Sequence, residues 1–460
     1  MSADAVIERY KRSPAGLLVV RPTGSGKTRL ALKATREDKR NTVVGTASLT
    51  KNFEGEEKKV FKATTPRKVT TYSSVARGNE LPGGNNLILD ESHYIRNPKT
   101  RTAKMLTQER KKYNKALLLT ATPIVNEPYD LASQVNLVAN REVMPADKKE
   151  FYSKYYDSKN VKPGFFGRML GVKPGAVREL KKRTDLEDTV SQFVDIADKK
   201  EVAEFMPKTK HEVVNVPMAE DQSKIYKYLE GKMPFHVRYK IKKGLPPSKS
   251  ESANLNAYMT GLRQVSNTTA PYVKEGVQPV SSKLDQMVKD MRAELANKGK
   301  VITYSNFLGA GSTRIKARLD KKNIQYSEIH GSLTKKQRAA EVEKYTSNKS
   351  NVMLFSGAGS EGLNLPKTTM VQITEPHWNE ARVYQAASRG VRRGDDPNRT
   401  VNIRHYLSTR PESKLNRLGF GKPKKSADQY LYEMSKRKKE ESDSMLRALR
   451  GKSDAKRTRV

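Results

Sequence analysis

Gly16-Leu-Leu-Val-Val20 followed by Arg21-Pro-Thr-Gly-Ser-Gly-Lys-Thr28 is the stretch on which the fold class turns. Its first five residues are apolar without alternation and too few for a helix, so they suit a strand buried on both faces. The turn that follows holds Thr23, Gly24, Ser25 and Gly26. Its glycines let successive backbone N–H groups crowd around an anion, with the N-terminus of the next helix behind them. Lys27 is then placed to reach the β- and γ-phosphates of a nucleotide, and Thr28 to offer its hydroxyl to magnesium. Arg21 stands where the first glycine of such a loop is usual, so the strand before and the helix after carry the assignment.

Working outward, apolar β-branched runs recur at Thr42–Gly45, Asn86–Leu89 and Ala116–Leu119, each followed by a polar turn and a helix-like stretch. A second set comprises Val301–Tyr304, Asn351–Phe355, Thr369–Ile373 and Thr400–Tyr406. Two such sets predict an α/β protein with two doubly wound parallel-sheet domains, their ligands at the carboxyl ends of the strands. We expect a nucleotide-binding domain over residues 1–143 and a helical insertion and linker over 144–280. A second α/β domain should span 281–410, and a basic helical tail 411–460. Within the insertion, Gln222–Leu229 and Asn254–Val265 read as helix and Lys240–Ser250 as exposed loop. In the tail, Ser426-Ala-Asp-Gln429 has the form of a capping box. It opens a helix whose apolar positions are Leu431, Met434, Met445, Leu446 and Leu449.

The 460 residues include 89 Lys plus Arg against 50 Asp plus Glu, a net charge of +39. An excess of this size is tolerated most easily against a polyanion, and nucleic acid is the first partner to expect. With no cysteine there is no disulfide, thiolate zinc site or cysteine nucleophile, and the six histidines lack ligand spacing, so no zinc is expected. No apolar run approaches bilayer length, and the N-terminal residues carry acids and no apolar core of a secretion signal.

Leu87-Ile-Leu-Asp90-Glu91 is a strand ending in adjacent carboxylates. Neighbouring acids there can divide the work, Asp90 holding magnesium and Glu91 polarising the attacking water. His93, with Thr120 and Thr122 of the strand-ending Leu119-Thr-Ala-Thr122-Pro123, is placed to couple nucleotide state to the rest of the molecule. Further on, Ser356-Gly-Ala-Gly-Ser-Glu-Gly362-Leu-Asn364 suits a loop that approaches a nucleotide closely. Gln385 through Arg393 reads as a helix, with Gln385, Arg389 and Arg392 on one face. Arg389 and Arg392 are candidate arginine fingers, and their distance along the chain from Lys27 implies a catalytic site assembled from two domains.

These strings resemble the superfamily 2 helicases, and within them the Swi/Snf-type branch. The similarity runs through Val43–Asn52, Val69–Ser73, Leu87–Asn97 and Leu117–Asn126, then His330–Arg338, Ser360–Asn364, Trp378-Asn379 and the arginine string. Ile373–Asn379, Asn402–Leu407 and Asp428–Glu433 are similar to the nucleoside triphosphatase I and early-transcription-factor ATPases of large DNA viruses. The resemblance implies two RecA-like lobes and nucleic-acid-stimulated hydrolysis of ATP with Mg2+. It further implies a DNA translocase or helicase acting in viral transcription or genome handling, with RNA polymerase or transcription-factor subunits as partners. Carried over by position, the nucleic-acid track would include Ser48, Tyr72, Ser73, His330 and Gly357. The expected location is the virion interior or the host cytoplasm or nucleus, neither secreted nor in a membrane. Charge does not separate DNA from RNA, because phosphates carry it in both. An RNA-stimulated ATPase and a genome-condensing protein with weak ATPase therefore stay as alternatives.

Overall fold

Leu17 and Val19 point into one apolar core and Leu18 and Val20 into another, so the strand that precedes the glycine-rich turn is buried on both faces. This follows from the two-residue period of a strand whose sheet is covered on each side. The computed structural model of the chain describes residues 3–38, 40–47, 53–58, 67–181, 184–197, 206–248, 251, 254–357, 363, 365–378, 383–384, 387–391, 396–412 and 423–455. Its strands are β1 (Gly16–Val20), β2 (Asn41–Gly45), β3 (Arg67–Thr71), β4 (Gly84–Asp90), β5 (Tyr113–Thr120), β6 (Tyr156–Val161) and β7 (Gly175–Leu180). They continue with β8 (Val194–Ile196), β9 (Lys208–Pro217), β10 (Val301–Tyr304), β11 (Ser327–Ile329), β12 (Val352–Phe355), β13 (Met370–Ile373) and β14 (Thr400–Thr409).

The chain divides into two compact units, one made of residues 1–157, 178–206 and 438–460, the other of 158–177 and 207–437. The first contains a sheet ordered β3-β2-β4-β5-β1-β8, and the second a sheet ordered β11-β12-β10-β13-β14-β9. Every described pairing in both is parallel. Strands β6 and β7 form a separate ribbon. In the first sheet β1 and β5 pass so closely at Gly16 that a Cβ there would lie 1.9 Å from the Ala116 carbonyl oxygen, at φ +122°. A side chain is excluded at that position by contact and by backbone conformation together.

The core of the second unit stacks Leu284, Met287, Val288 and Met291 of helix Ser282–Ala296 on Val301, Val352, Leu354, Met370 and Tyr406. A helical cluster stands beside it, built from Tyr226, Val237, Ile241, Met259, Leu262 and Val265 together with Ala427, Tyr430, Leu431 and Met434. The last four open helix Ala427–Ala455. Its start carries the expected reciprocal cap: Gln429 N–H donates to Ser426 Oγ at 3.2 Å, and Ser426 N–H donates to Gln429 Oε1 at 3.1 Å. Farther along the same helix Met445, Ala448 and Leu449 are members of the first unit's core.

Residues 144–280 supply more than helices. Strand β8 extends the first sheet beside β1, and β9 extends the second beside β14. The loop expected over Lys240–Ser250 is helical to Lys243, where Gly244 in the left-handed region ends it. The reason lies in Lys240, whose ammonium is buried and donates to Glu251 Oε2 at 2.7 Å while Ile241 packs in the helical cluster. In Lys240-Ile-Lys-Lys243 the first cation is hidden in that pair, Lys242 is half-buried with its ammonium 3.0 Å from Glu230 Oε2, and Lys243 is exposed.

One ion pair holds the helical cluster to the second sheet. Lys283 Nζ donates to Asp428 Oδ2 at 2.7 Å with both side chains fully buried, and the same oxygen accepts from Ser408 N–H at 3.0 Å. Removing one partner leaves the other charge unpaired out of water, which costs about 3–5 kcal/mol. Asp428→Ala is expected to lower the unfolding free energy by that amount. Lys283→Met combined with Asp428→Asn should recover most of it, which equilibrium unfolding in urea will measure.

Candidate nucleotide site

Parallel pairing lines up the carboxyl ends of β1, β4 and β5. Val20 is in register with Thr120, and Asp90 with Leu119. The turn after β1, the acids after β4 and the threonines after β5 therefore emerge along one edge of the first sheet. Arg21 N–H donates to the Thr120 carbonyl at 3.0 Å, which ties the start of the turn to β5. Gly24 and Gly26 take φ of +81° and +82°, the left-handed values that aim backbone N–H groups inward before helix Lys27–Ala34 begins. Lys27 is buried, its ammonium donating to the carbonyls of Arg21 and Pro22 at 3.2 Å each. Ser25 Oγ donates to the Pro22 carbonyl at 2.7 Å, whereas Thr23 and Thr28 are half-buried.

Asp90 is buried at the end of β4, and its Oδ1 accepts from Glu91 N–H at 3.0 Å. Burial, then the Glu91 charge, push its pKa up from the ordinary 3.8 to about 6, against which the Lys27 charge works. Glu91 itself sits in the left-handed region, φ 55° and ψ 52°, a conformation that costs a side-chain-bearing residue about 1 kcal/mol or more. Its carboxylate Oε2 lies 3.3 Å from His93 Nδ1, which is also 3.3 Å from Thr120 Oγ1. His93 thus stands between the acid and the threonine, and Thr120 Oγ1 accepts from Thr122 N–H at 3.1 Å.

A cation fits this donor set. Asp90, buried at the end of β4 with the Glu91 charge beside it, is a carboxylate that a divalent ion would suit, the Thr28 hydroxyl and phosphate oxygens completing such a site.

Arg9, Asp195 and Gln134 are not announced by any motif in the sequence. Arg21 is buried with its guanidinium 3.9 Å from Asp195 Oδ1 on β8, and Arg9 reaches the other oxygen of that carboxylate at 3.0 Å. A glycine position is thereby filled by an arginine whose charge is matched, a pairing that no local motif announces. Gln134, buried in helix Asp130–Ala139, accepts from Ser92 Oγ at 2.8 Å and donates to the Pro123 carbonyl at 2.6 Å. It brackets the segment after β4 to the turn after β5. A glutamine on the buried side of Asp130-Leu-Ala-Ser-Gln-Val-Asn-Leu is a visible anomaly, and such a residue needs partners.

Tyr72, expected on the nucleic-acid track, is turned inward instead. Its hydroxyl donates to the Asp90 carbonyl at 2.8 Å and its ring stacks on Tyr94 with centroids 5.0 Å apart. Burial, followed by the nearby acids, holds its pKa well above the usual tyrosine value. It therefore buttresses the acidic strand end. Ser73 beside it is exposed, while Ser48 lies outside the described residues.

In the second unit Gly357 is exposed after β12, and His330 Nδ1 lies 2.7 Å from Ser332 Oγ. Arg389 is buried, and its carbonyl accepts from Leu365 N–H at 3.1 Å. The helix expected over 385–393 gives way to a turn at Ser388 and Arg389, where Gly390 packs so close to Thr368 and Ile302 that a Cβ would lie 2.8–3.0 Å from them. Gln385, Arg392, Gly362 and Asn364 fall outside the described residues. After β13 the fully buried Glu375 accepts from Ser305 Oγ at 2.6 Å, Asn267 Nδ2 at 2.7 Å and Asn306 N–H at 3.0 Å, fixing the loop after β10.

Comparison with known proteins adds the following. Residues 7–270 match the SNF2-related domain, and residues 282–394 the helicase conserved C-terminal domain. A protein of Acanthamoeba polyphaga mimivirus named "Putative ATP-dependent RNA helicase L538" is 28% identical, the match covering 94% of this chain and 92% of that protein. The termination factor NPH-I homologue of African swine fever virus is 22% identical over 67% of this chain and 53% of its own length. The Hef helicase domain of Pyrococcus furiosus superposes with a TM-score of 0.50 at 13% identity, covering 91% of this chain and 97% of that one.

The charge buried at Asp90 has a measurable consequence. Because its pKa is higher in the folded chain than in the unfolded one, ionisation destabilises the nucleotide-free protein fully above about pH 6 and not at all below pH 4. Asp90→Asn should stabilise by about 3 kcal/mol at pH 7.5 and by well under 1 kcal/mol at pH 4. Thermal melts of both forms across that range provide the check.

Proposed function

Since the chain belongs to the SNF2-related family and is an ATP-hydrolysing enzyme of the helicase and translocase type, we propose that it moves along duplex DNA, driven by hydrolysis at the edge of the first sheet. The observation that carries the reading is the parallel register that sets Val20 beside Thr120 and Asp90 beside Leu119, so that a phosphate-shaped turn, paired acids and a histidine-threonine link lie along one sheet edge. In this reading the N–H groups of Thr23 to Lys27 and the Lys27 ammonium bind the triphosphate of ATP. Thr28 and Asp90 hold Mg2+, which supplies charge neutralisation on the phosphates. Glu91 orients water, the left-handed backbone aiming its carboxylate out of the strand. His93, Thr120 and Thr122 transmit the state of the site. Gly362 and Asn364 approach the nucleotide, and Gln385, Arg389 and Arg392 neutralise charge that develops on the transferred phosphoryl group.

The net charge of +39 supports a nucleic-acid track, to which we assign Ser48, Ser73, His330 and Gly357, with the backbone rather than the ring at Tyr72. Relatives in large DNA viruses, one named as a termination factor homologue, support a role in viral transcription or genome handling beside polymerase or transcription-factor subunits. A second reading, an RNA-stimulated ATPase, is favoured by the mimivirus relative's name. Among the described residues no helix is long and apolar enough to cross a membrane.

The decisive measurement is ATP turnover with no nucleic acid, duplex DNA, single-stranded DNA and RNA. Duplex DNA should stimulate most, and stimulation by RNA with none by DNA transfers the assignment to the second reading. Lys27→Ala and Glu91→Gln are each expected to lower stimulated turnover at least a hundredfold while changing DNA affinity less than threefold. Arg389→Ala should lower kcat by about a thousandfold. Wild-type turnover in the first two variants would end the proposal.

A further inference from the structure

Between Ser158 and Val177 the chain carries Lys159, Lys162, Arg168 and Lys173 and no carboxylate. In the middle of that stretch Phe165–Met169 forms a single helical turn or so, bracketed by β6 and β7. Its outward side chains are unusually apolar. Phe165 is 68% exposed, Phe166 69%, Met169 66% and Leu170 55%. Phe165, Phe166 and Met169 are the most exposed large apolar side chains among the described residues, ahead of Tyr228 at 65%, and with Leu170 they stand next to one another in a chain rich in charge. A contiguous apolar patch of this kind marks an interaction site.

The tip is built rather than loose. Gly167 on its inner side is buried, and a Cβ there would lie 2.8 Å from the Tyr239 ring and from Pro163. At the base Gly175 is so close to Pro246 that a Cβ would lie 2.2 Å from its carbonyl oxygen. Val172 is buried as well. The inner side is thus pressed onto helix Phe235–Lys243 and the segment after it, and the phenylalanines project from the opposite side. Their rings meet edge to face, centroids 5.8 Å apart at 81°, so one presents a face and the other an edge. Tyr239 also contacts the exposed Phe235, over which Arg238 lies at 5.8 Å, continuing the mixture of rings and cations.

We propose that this tip is a base-stacking site for an unpaired nucleic-acid strand, Phe165 and Phe166 taking bases against their rings while Lys162, Arg168 and Lys173 face the phosphates. Rings flanked by cations are what an unpaired strand requires: every base has an apolar face and every linkage a negative charge. A rigid protrusion suits the task, because bases must be held out of the stack they leave. Aromatic side chains also anchor protein interfaces, and what favours a nucleic-acid strand here is that the same stretch carries Lys159, Lys162, Arg168 and Lys173 without a carboxylate. The inference rests on the nucleic-acid reading above and extends it from the backbone to the bases.

The test uses full-length Phe165→Ala/Phe166→Ala and fluorescence anisotropy with a single-stranded 20-mer and the matching blunt duplex. Single-strand affinity should fall by about tenfold to a hundredfold, with duplex affinity within twofold of wild type. Phe166→Trp in the Phe165→Ala background should restore most of the loss. Lys162→Gln/Lys173→Gln should weaken both ligands and reduce the salt dependence of binding. Unchanged single-strand affinity, or an equal loss on both ligands, overturns the inference. So does unchanged affinity with loss of self-association in sedimentation, which assigns the tip to a second copy of the chain. If the wild type binds neither ligand and its turnover responds to no nucleic acid, the proposed function itself has failed, and that outcome is distinct from failure of the tip.

Discussion

Parallel hydrogen bonding of β4, β5 and β1 is the constraint on which the site depends. Three strands running the same way must end on the same side, and the register places Val20 beside Thr120 and Asp90 beside Leu119. Nothing in the local chain brings the glycine-rich turn, the acids and the threonines together, since almost a hundred residues separate the first from the last. The sheet does so through main-chain geometry, and the buried faces of Leu17, Leu18, Val19, Leu87, Ile88, Leu89, Leu117 and Leu118 keep that geometry from slipping. A shift of one residue would exchange the two cores as well as misplace the chemistry.

Electrostatics then sets the character of the site. The chain as a whole is strongly cationic, yet the strand end concentrates negative charge out of water, where Asp90 and Glu91 are adjacent and Tyr72 closes one side. Such a place costs the folded chain stability when Asp90 is ionised, and a neighbouring positive charge, as Lys27 already supplies, relieves it. Elsewhere the fold handles buried charge differently. Lys283 with Asp428, and Lys240 with Glu251, are closed pairs whose work is to join elements.

Much of this was legible beforehand, and the reasons differ by element. Gly16–Val20 and Val301–Tyr304 were readable to the residue because central parallel strands are continuously apolar and end at turns. The outer strands were not: β3 is Arg-Lys-Val-Thr-Thr, β8 has three residues, and β9 alternates exposed and half-buried positions. Edge positions ask less of a side chain and so leave less trace. The glycine-rich turn after β1 and the acids ending β4 were legible as a pattern because few residue types suit such positions. Tyr72 could not be placed, since a tyrosine serves equally as a surface contact or as a buried prop. Gln134 stands out as a polar residue on a buried face, yet its partner and that of Asp195 lie 42 and 186 residues away in the chain, beyond any local pattern.

Arg21 carries one more implication. A glycine at the head of a phosphate loop would leave the turn free to hinge from its first residue. Here that residue is clamped, its amide to β5 and its guanidinium facing the carboxylate of β8, while Ala197 N–H donates to Val20. Whatever give the loop retains must therefore lie at Gly24 and Gly26, downstream of the clamp, and any tug that an arriving nucleotide exerts on Arg21 is handed to the outermost strand of the sheet.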